Sequence, residues 1–460
     1  MRSIGEKCGV FGIYGKGLDA SRLTFFGLYA LQHRGQESSG IASGDGKKIR
    51  CIKDTGLVAQ VFNEEAISSL VGHVAIGHNR YSTSSGTGVK HAQPIETEDG
   101  TIVLAHNGNL PNVDKLEDFL KRRGVVLSEV SDSKMVCEAI HALTKEGIEI
   151  EKAVEEVFPL INGTFSILIM TKDKIIAIRD RFGIRPFSIG RLNSGYIFSS
   201  ETCAFHPIGA TFLRDVNPGE MVVVDAKGLR GKQLAPSNQK LDIFEFVYFS
   251  RPDSVLLEKS VYEVRKQFGV KLAQEYPIKA DVVIPVPETA IPVAIGYANA
   301  WGIPFEAGLI KSRYIHRTFI EPEQHIREQG VKLKLAPLRE VIENKRVIVV
   351  DDSIVRGTTS KQIVKMLFDT GAKEVHFLVS SPPVKFPDFY GIDLPRQEDL
   401  LASKKSVEEM NKYLGSTSLN FLSYKGMIEA TGIDESFFCT SCFTGEYPID
   451  VKNAIIRSKS

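Results

Sequence analysis

Arg346-Val-Ile-Val-Val-Asp-Asp-Ser-Ile-Val-Arg-Gly-Thr-Thr-Ser360 decides how the second half of this chain reads. Val347, Ile348, Val349 and Val350 are consecutive, apolar and β-branched, the pattern of a strand covered on both faces. The strand ends in two acids, Asp351 and Asp352. A loop of small and hydroxyl residues follows, then a helix expected over 358–369. Backbone N–H groups and hydroxyls where a loop enters a helix suit an anion, and Gly357 lets the backbone come close to it. Two carboxylates beside that anion suit ribose hydroxyls or a hydrated Mg²⁺. There is no Gly-x-x-x-x-Gly-Lys-Ser/Thr loop and no dinucleotide fingerprint, so a sugar phosphate fits better than a nucleoside triphosphate. The bland alternative, a solvated turn capped by Asp, leaves the paired acids and the Ser-Gly-Thr-Thr run unexplained.

Outward from this stretch, 281–286 and 374–380 read as further apolar strands. Helices are expected over 289–300 and 358–369, with Gly371 at a helix end. Strand and helix in alternation predict a parallel α/β sheet with ligands at the strand carboxyl ends. Val283-Ile-Pro-Val-Pro-Glu-Thr-Ala290 is a second strand running into a tight turn. Lys311-Ser-Arg-Tyr-Ile-His-Arg-Thr-Phe-Ile320 opens a basic, poorly periodic stretch to Lys334, suited to a lid over a charged substrate or simply to a solvated loop.

The first half has a different pattern. Short β-favouring runs at 103–104, 165–170 and 221–224 sit beside Gly, Asn and Asp turns, and helical periodicity marks 21–31 and 133–143. Polarity rises over 228–240, where a domain junction is expected. The 460 residues allow two domains. A hydrophobic content of 43%, 25% charged residues and a net charge of +1 describe an ordinary globular chain with no call for nucleic acid. No apolar run approaches the roughly 18 residues of a membrane span. Residues 1–7 lack the apolar core of a secretory signal, and six scattered cysteines do not suggest a disulfide framework. A cytoplasmic location is the default expectation.

Cys8 begins Cys8-Gly-Val-Phe-Gly-Ile13 after only seven residues. Were those removed, its α-amine, with an ordinary pKa near ~7.7–8.0, could serve as the base for its own thiol. On position alone, a small buried cysteine at a strand start is an equal reading. Three polar clusters tilt the balance: Leu31-Gln-His-Arg-Gly-Gln-Glu37, Gly77-His-Asn-Arg-Tyr-Ser-Thr83 and Ala105-His-Asn-Gly-Asn-Leu110, with Ser131-Asp-Ser133 as a fourth.

These motifs resemble two families. The 346–360 stretch resembles the phosphoribosyl-diphosphate motif of type I phosphoribosyltransferases. That resemblance implies that Asp351 and Asp352 hold ribose hydroxyls and metal. It also implies that Ser353, Val355, Arg356, Gly357, Thr358 and Thr359 hold the 5′-phosphate, and that Thr289 is a metal-binding hydroxyl beside the diphosphate. Lys311 and Arg317 of the basic stretch are expected on the substrate. Residues 8–230 resemble the N-terminal-nucleophile glutamine amidotransferase domain. By that resemblance Cys8 is the nucleophile, and Asn107 with the Gly108 N–H forms the oxyanion hole. Arg80 pairs with the glutamine carboxylate and Asp132 with its ammonium, while Thr83 and the segment to His91 close over it.

The expected architecture is a propeptide over 1–7, then a four-layer αββα amidotransferase domain over 8–235. An α/β phosphoribosyltransferase domain with a parallel sheet follows over 236–460. The pairing resembles the glutamine-dependent phosphoribosyl amidotransferases. It implies a reaction of glutamine, phosphoribosyl diphosphate and water giving 5-phosphoribosylamine, diphosphate and glutamate, the first committed step of purine synthesis. Mg²⁺, purine-nucleotide inhibitors and a homotetramer come with the resemblance. Three rivals remain: a sugar-phosphate amidotransferase, which lacks the Asp351-Asp352 loop; a ligand-sensing regulator, which leaves Cys8 and its partners unexplained; and an enzyme using free ammonia only.

Many relatives with a short propeptide carry a [4Fe–4S] cluster on four cysteines. Here Cys439-Thr-Ser-Cys442 matches two, and Asp242 and Asp388 stand at the other two positions, so a four-thiolate cluster is not expected. Two Asp and two Cys are either a Zn²⁺ set or a metal-free vestige. The Phe443-Thr-Gly-Glu-Tyr-Pro448 tail is expected to pack back onto the chain.

Overall fold

The computed structural model describes residues 8–81, 88–126, 131–312, 335–391, 394 and 396–451. Two antiparallel sheets stack in the first half. One has seven strands, in the order Thr211–Asp215, Ser188–Leu192, Gly195–Ser199, Gly9–Tyr14, Val74–Arg80, Ser38–Gly44 and Ile49–Thr55. The other has six, Gly228–Gln233, Glu220–Asp225, Lys174–Arg179, Asn162–Thr171, Val103–Asn112 and Ile95–Glu96.

Side-chain alternation builds the layers. Along Gly9–Tyr14, Val10 and Tyr14 enter the core between the sheets with Leu168 and Met170. Phe11 and Ile13 face the other way, onto Leu28 of the helix Ala20–Ala30. On the second sheet Ile167 and Ile169 turn outward, against Val136 and Ile140 of Asp132–Lys145. Helix, sheet, sheet, helix is the expected αββα stack, and each fully buried Phe or Ile contributes about 2–3 kcal/mol to it.

The second half carries a parallel sheet in the order Val282–Pro285, Arg346–Asp351, Glu374–Val379 and Ser418–Phe421. Val283, Ile348 and Val350 pack on one face against the helices Val261–Glu275 and Ile291–Trp301. Val347, Val349 and Phe377 pack on the other against Thr358–Asp369 and Val407–Leu414. Both faces are covered, which is why these strands lack polar alternation. Gly371 follows the helix cap Thr370 at φ +100°.

The polar stretch 228–240 opens with a strand that the sequence did not suggest. Gly228–Gln233 closes the edge of the six-stranded sheet against Glu220–Asp225. Most of its side chains are exposed, so it has no apolar face to betray it. The chain then crosses to Leu241–Asp242, which pairs in parallel with Phe438–Cys439 near the other end of the chain. Phe443 stacks on Phe244 at 5.7 Å, so the C-terminal segment packs back as expected.

Candidate active sites

Cys8 and Arg80 lie side by side, because the Gly9–Asn79 pairing continues past the strand end. The half-buried Cys8 thiol is 3.8 Å from the Tyr81 carbonyl. Burial raises its pKa, and the neighbouring Arg80 and Arg34 offset part of the rise. The Ser200 hydroxyl joins the two sheets here: it accepts from the Val10 N–H at 2.9 Å and from Asn107 Nδ2 at 3.2 Å. Asn107 and Gly108 thereby stand at the same end of the sandwich as Cys8. Gly108 has φ +155°, and a Cβ there would collide with the Thr164 carbonyl, so no other residue fits. Asp132 is the first residue of its helix because Ser131 caps it, accepting from the Lys134 N–H. Its carboxylate accepts from the N–H groups of Ser133 at 2.7 Å and Leu110 at 3.3 Å, which brings it to the same strand. Arg80 is buried and paired with Glu37 at 2.7 Å. Thr83 lies outside the described residues.

The second site forms where two parallel strands end together. The Val286 N–H donates to the Val350 carbonyl, so the turn carrying Thr289 leaves the sheet beside Asp351. Burial first and Asp352 second push the Asp351 carboxyl well above its ordinary range. Burial brings Asp352 to about 6, partly offset by the Ser353 hydroxyl, 2.6 Å from its Oδ1, and by the cation Arg265. Arg265 is itself buried, held by the carbonyls of Phe246 and Ser250 at 2.8 Å each. Ile354 anchors the loop in the core, and Val355 takes the Leu401 N–H at 2.8 Å. Arg356 pairs with Asp399 at 3.0 Å. Gly357 begins the helix at φ +73°, with a would-be Cβ 2.5 Å from Leu401 Cδ2. The loop from Ser353 into Thr358 and Thr359 is thus a pinned backbone cradle at a helix start, suited to an anion. Lys311 ends an exposed strand, 3.7 Å from Glu288. Arg317 and the basic stretch after residue 312 lie outside the described residues.

A buried charge network runs from Cys8 into the second half of the chain. Arg34 reaches the Cys8 carbonyl through Nε at 3.3 Å, while its two terminal nitrogens hold Glu201 and Glu245. Glu201 also accepts from the Arg251 N–H at 2.9 Å and the Ser254 hydroxyl at 2.7 Å. Arg185 bonds Asp242 at 3.2 Å, lies 3.7 Å from Glu245 and donates to the Tyr390 carbonyl. The sequence reading assigned no role to Ser200, Glu201, Glu245, Arg185 or Arg265. Arg185 and Glu245 carry one local signal, a charge between two apolar neighbours, while Ser200, Glu201 and Arg265 carry none.

Around Cys439 and Cys442 the donor set does not fit an iron–sulfur cluster. Asp242 already takes Arg185 and the Phe244 N–H, and Asp388 takes the Tyr390 N–H at 2.8 Å. Burial, then Asp242, raises the Cys439 thiol to about 12, and Cys442 is also raised. Cluster iron takes thiolates, and only two sulfurs are present. Among the described residues no group of three or more His, Cys, Asp or Glu side chains is placed to hold a metal ion.

A cysteine near an asparagine–glycine pair at the end of an αββα stack, followed by an acid-acid loop at a helix start on a parallel sheet, fits a glutamine amidotransferase joined to a phosphoribosyltransferase. Family models agree: a glutamine amidotransferase domain matches residues 78–207, and a phosphoribosyl transferase domain matches 257–381. The amidophosphoribosyltransferase of Synechocystis is 48% identical, over 99% of this chain and 93% of its own. That of Bacillus subtilis is 44% identical, over 98% and 96%. The solved structure of the B. subtilis glutamine phosphoribosylpyrophosphate amidotransferase complexed with ADP and GMP superposes with a TM-score of 0.90 at 43% identity, covering 96% of this chain and 98% of that one. The chain belongs to the amidophosphoribosyltransferase family. It makes 5-phosphoribosylamine, diphosphate and glutamate from phosphoribosyl diphosphate, glutamine and water, the first committed step of de novo purine synthesis.

Proposed function

We propose that the two halves divide this reaction as follows, with the junction at 235/236. The observation that carries the assignment is the Ser200 hydroxyl, which accepts both from the Val10 N–H, two residues after Cys8, and from the Asn107 side chain. Removal of residues 1–7 gives Cys8 a free amine. A buried thiol with a raised pKa needs such a base, and the amine takes its proton as sulfur attacks the glutamine amide carbon. Asn107 Nδ2 and the Gly108 N–H stabilise the oxyanion. The amine then protonates the departing ammonia, and water later releases glutamate. Arg80 and Asp132 hold the two ends of glutamine, and Thr83 lies in the segment closing over it.

In the second half Asp351 and Asp352 hold the ribose hydroxyls, and the loop Ser353–Thr359 holds the 5′-phosphate, with Val355, Arg356, Gly357 and Thr358 in its wall. Two adjacent acids, both raised by burial and Asp351 raised further by Asp352, suit a cation, and they with Thr289 would hold Mg²⁺. When bound, the metal neutralises the departing diphosphate. Lys311 and Arg317 add positive charge over the same group. Ammonia crosses to the ribose C1 inside the closed enzyme, sheltered from water. A cytoplasmic homotetramer completes the reading, as does inhibition by purine nucleotides, which the ADP and GMP bound in the B. subtilis relative support.

Cys8→Ala tests the division. It is expected to abolish synthesis with glutamine and to spare synthesis with ammonia. Retained glutamine turnover would reject Cys8 as the nucleophile, and loss of both activities would reject the two-site scheme. An intact mass lacking residues 1–7 checks the processing step.

A further inference from the structure

His106 has no place in this scheme, yet it links the strand carrying Asn107 and Gly108 to the helix that begins at Asp132. It precedes Asn107 on the strand Val103–Asn112. The neighbouring strand Ile95–Glu96 pairs only as far as Leu104, so His106 has lost its backbone partner on that side. Side chains replace it: Gln93 Oε1 accepts the His106 N–H at 2.7 Å, and His78 Nε2 lies 3.0 Å from the His106 carbonyl. Alternation along the strand sends the Gly108 N–H out on this same open side.

The His106 ring turns to the opposite layer and is almost fully buried. Its Nε2 lies 3.3 Å from the Thr164 carbonyl, and its Nδ1 lies 2.9 Å from Ser133 Oγ. It sits directly under Gly108, where an added Cβ would come within 2.7 Å of Nε2. Burial lowers its pKa, so the ring is neutral, with one donor and one acceptor nitrogen. A carbonyl can only accept, so Nε2 carries the hydrogen, and Nδ1 accepts from the Ser133 hydroxyl. Ser133 has one such hydrogen. Its oxygen is also 3.1 Å from Asp132 Oδ1, a distance at which it would otherwise donate there. With that hydrogen engaged, Asp132 keeps, among the described residues, the backbone donors Ser133 N–H and Leu110 N–H.

We propose that His106 is a positioning residue for glutamine hydrolysis: its ring props Gly108 through Thr164 and, by engaging the Ser133 hydroxyl, leaves the Asp132 carboxylate open to an incoming ammonium group. The inference rests on the assignment of Gly108 and Asp132 above. It predicts that oxyanion support and ammonium binding come apart in different variants. His106→Leu loses both functions, so kcat with glutamine falls by about tenfold or more and KM for glutamine rises by about tenfold, as Ser133 turns to Asp132. His106→Asn keeps an acceptor for Ser133 and loses the reach to Thr164, so kcat falls while KM stays within about twofold. Adding Ser133→Ala to His106→Leu restores KM and leaves kcat low.

Steady-state kinetics with glutamine, alongside synthesis from ammonia as the control of fold, reads all three. Equal KM values in the Leu and Asn variants, or no recovery of KM in the double variant, would overturn the Ser133 link. An undiminished kcat in the Asn variant would overturn the prop. Should the Leu variant lose ammonia-dependent synthesis as well, the Asn variant alone decides, by a lowered or unchanged kcat. The Cys8→Ala experiment fails separately: glutamine turnover surviving there removes the site assignment whatever His106 does.

Discussion

Arg34 and Glu245 meet as a two-pronged ion pair across the boundary between the halves, Nη2 to Oε1 at 2.9 Å and Nη1 to Oε2 at 3.1 Å. Both side chains are shielded from water, and the same guanidinium touches the Cys8 carbonyl. A buried pair of this kind adds little net stability over an apolar substitute, but stranding one partner is costly. Glu245→Ala is therefore expected to destabilise the protein by about 3–5 kcal/mol, read from the denaturant midpoint. Glutamine-dependent synthesis should fall further than ammonia-dependent synthesis, since Arg34 loses a holder beside Cys8. Equal losses would place the pair outside the glutamine site.

Asp351 and Asp352 should act against stability when no ligand is present. Their folded-state pKa values are raised, Asp352 to about 6 against an ordinary 3.8. The folded state thus binds more protons than the unfolded state between about pH 4 and pH 6, and stability from this pair falls as pH rises through that window. At pH 7.5 the double substitution Asp351→Asn with Asp352→Asn should raise the ligand-free melting temperature, by the equivalent of about 1–2 kcal/mol. It should cripple phosphoribosyl transfer and leave basal glutamine hydrolysis. A lowered melting temperature, or unchanged synthesis, would contradict the assigned roles.

Asn107→Ala removes the side-chain donor proposed for the oxyanion. The expected loss is about 10²–10³ in kcat with glutamine, with KM little changed. Parallel rates with ammonia check that the second half is intact. A loss confined to KM would make Asn107 a binding group instead.

The aerobically and the anaerobically purified protein should both lack the broad thiolate-to-iron absorbance near about 400 nm. Matching iron and sulfide with a strong band would show that Cys439 and Cys442 recruit further ligands in place of Asp242 and Asp388.

What could be read in the amino-acid order, and what could not, divides along physical lines. Arg346–Asp351 was legible because a strand buried on both faces needs an unbroken apolar run, and the acids at its end have no packing purpose. The helix over Thr358–Asp369 was legible from its period. Gly228–Gln233 was not, because an edge strand with exposed side chains owes its form to backbone pairing alone. Cys8, Asn107 and Asp132 could be named from local clusters, but Ser200, which ties Asn107 to the strand that follows Cys8, is one hydroxyl just past a strand end. Arg34 and Glu245 are 211 positions apart, and no local pattern announces that two buried charges will find each other at that range.

The peptide Phe389–Gly391 comes from the second half of the chain and lies on the first. Asn109 Nδ2 donates to the Phe389 carbonyl at 2.8 Å, Thr164 Oγ1 donates to the Tyr390 carbonyl at 3.1 Å, and a Cβ on Gly391 would reach within 3.7 Å of the Gly108 carbonyl carbon. The wall behind Asn107 and Gly108 is thus borrowed from the second half of the chain. A chimera that grafts this amidotransferase onto a foreign acceptor enzyme at 235/236 would leave behind part of its own back wall. Swapping in a glutaminase from a distant relative would meet the same misfit from the other side. For these two modules the unit of inheritance, and of engineering, is the joined pair.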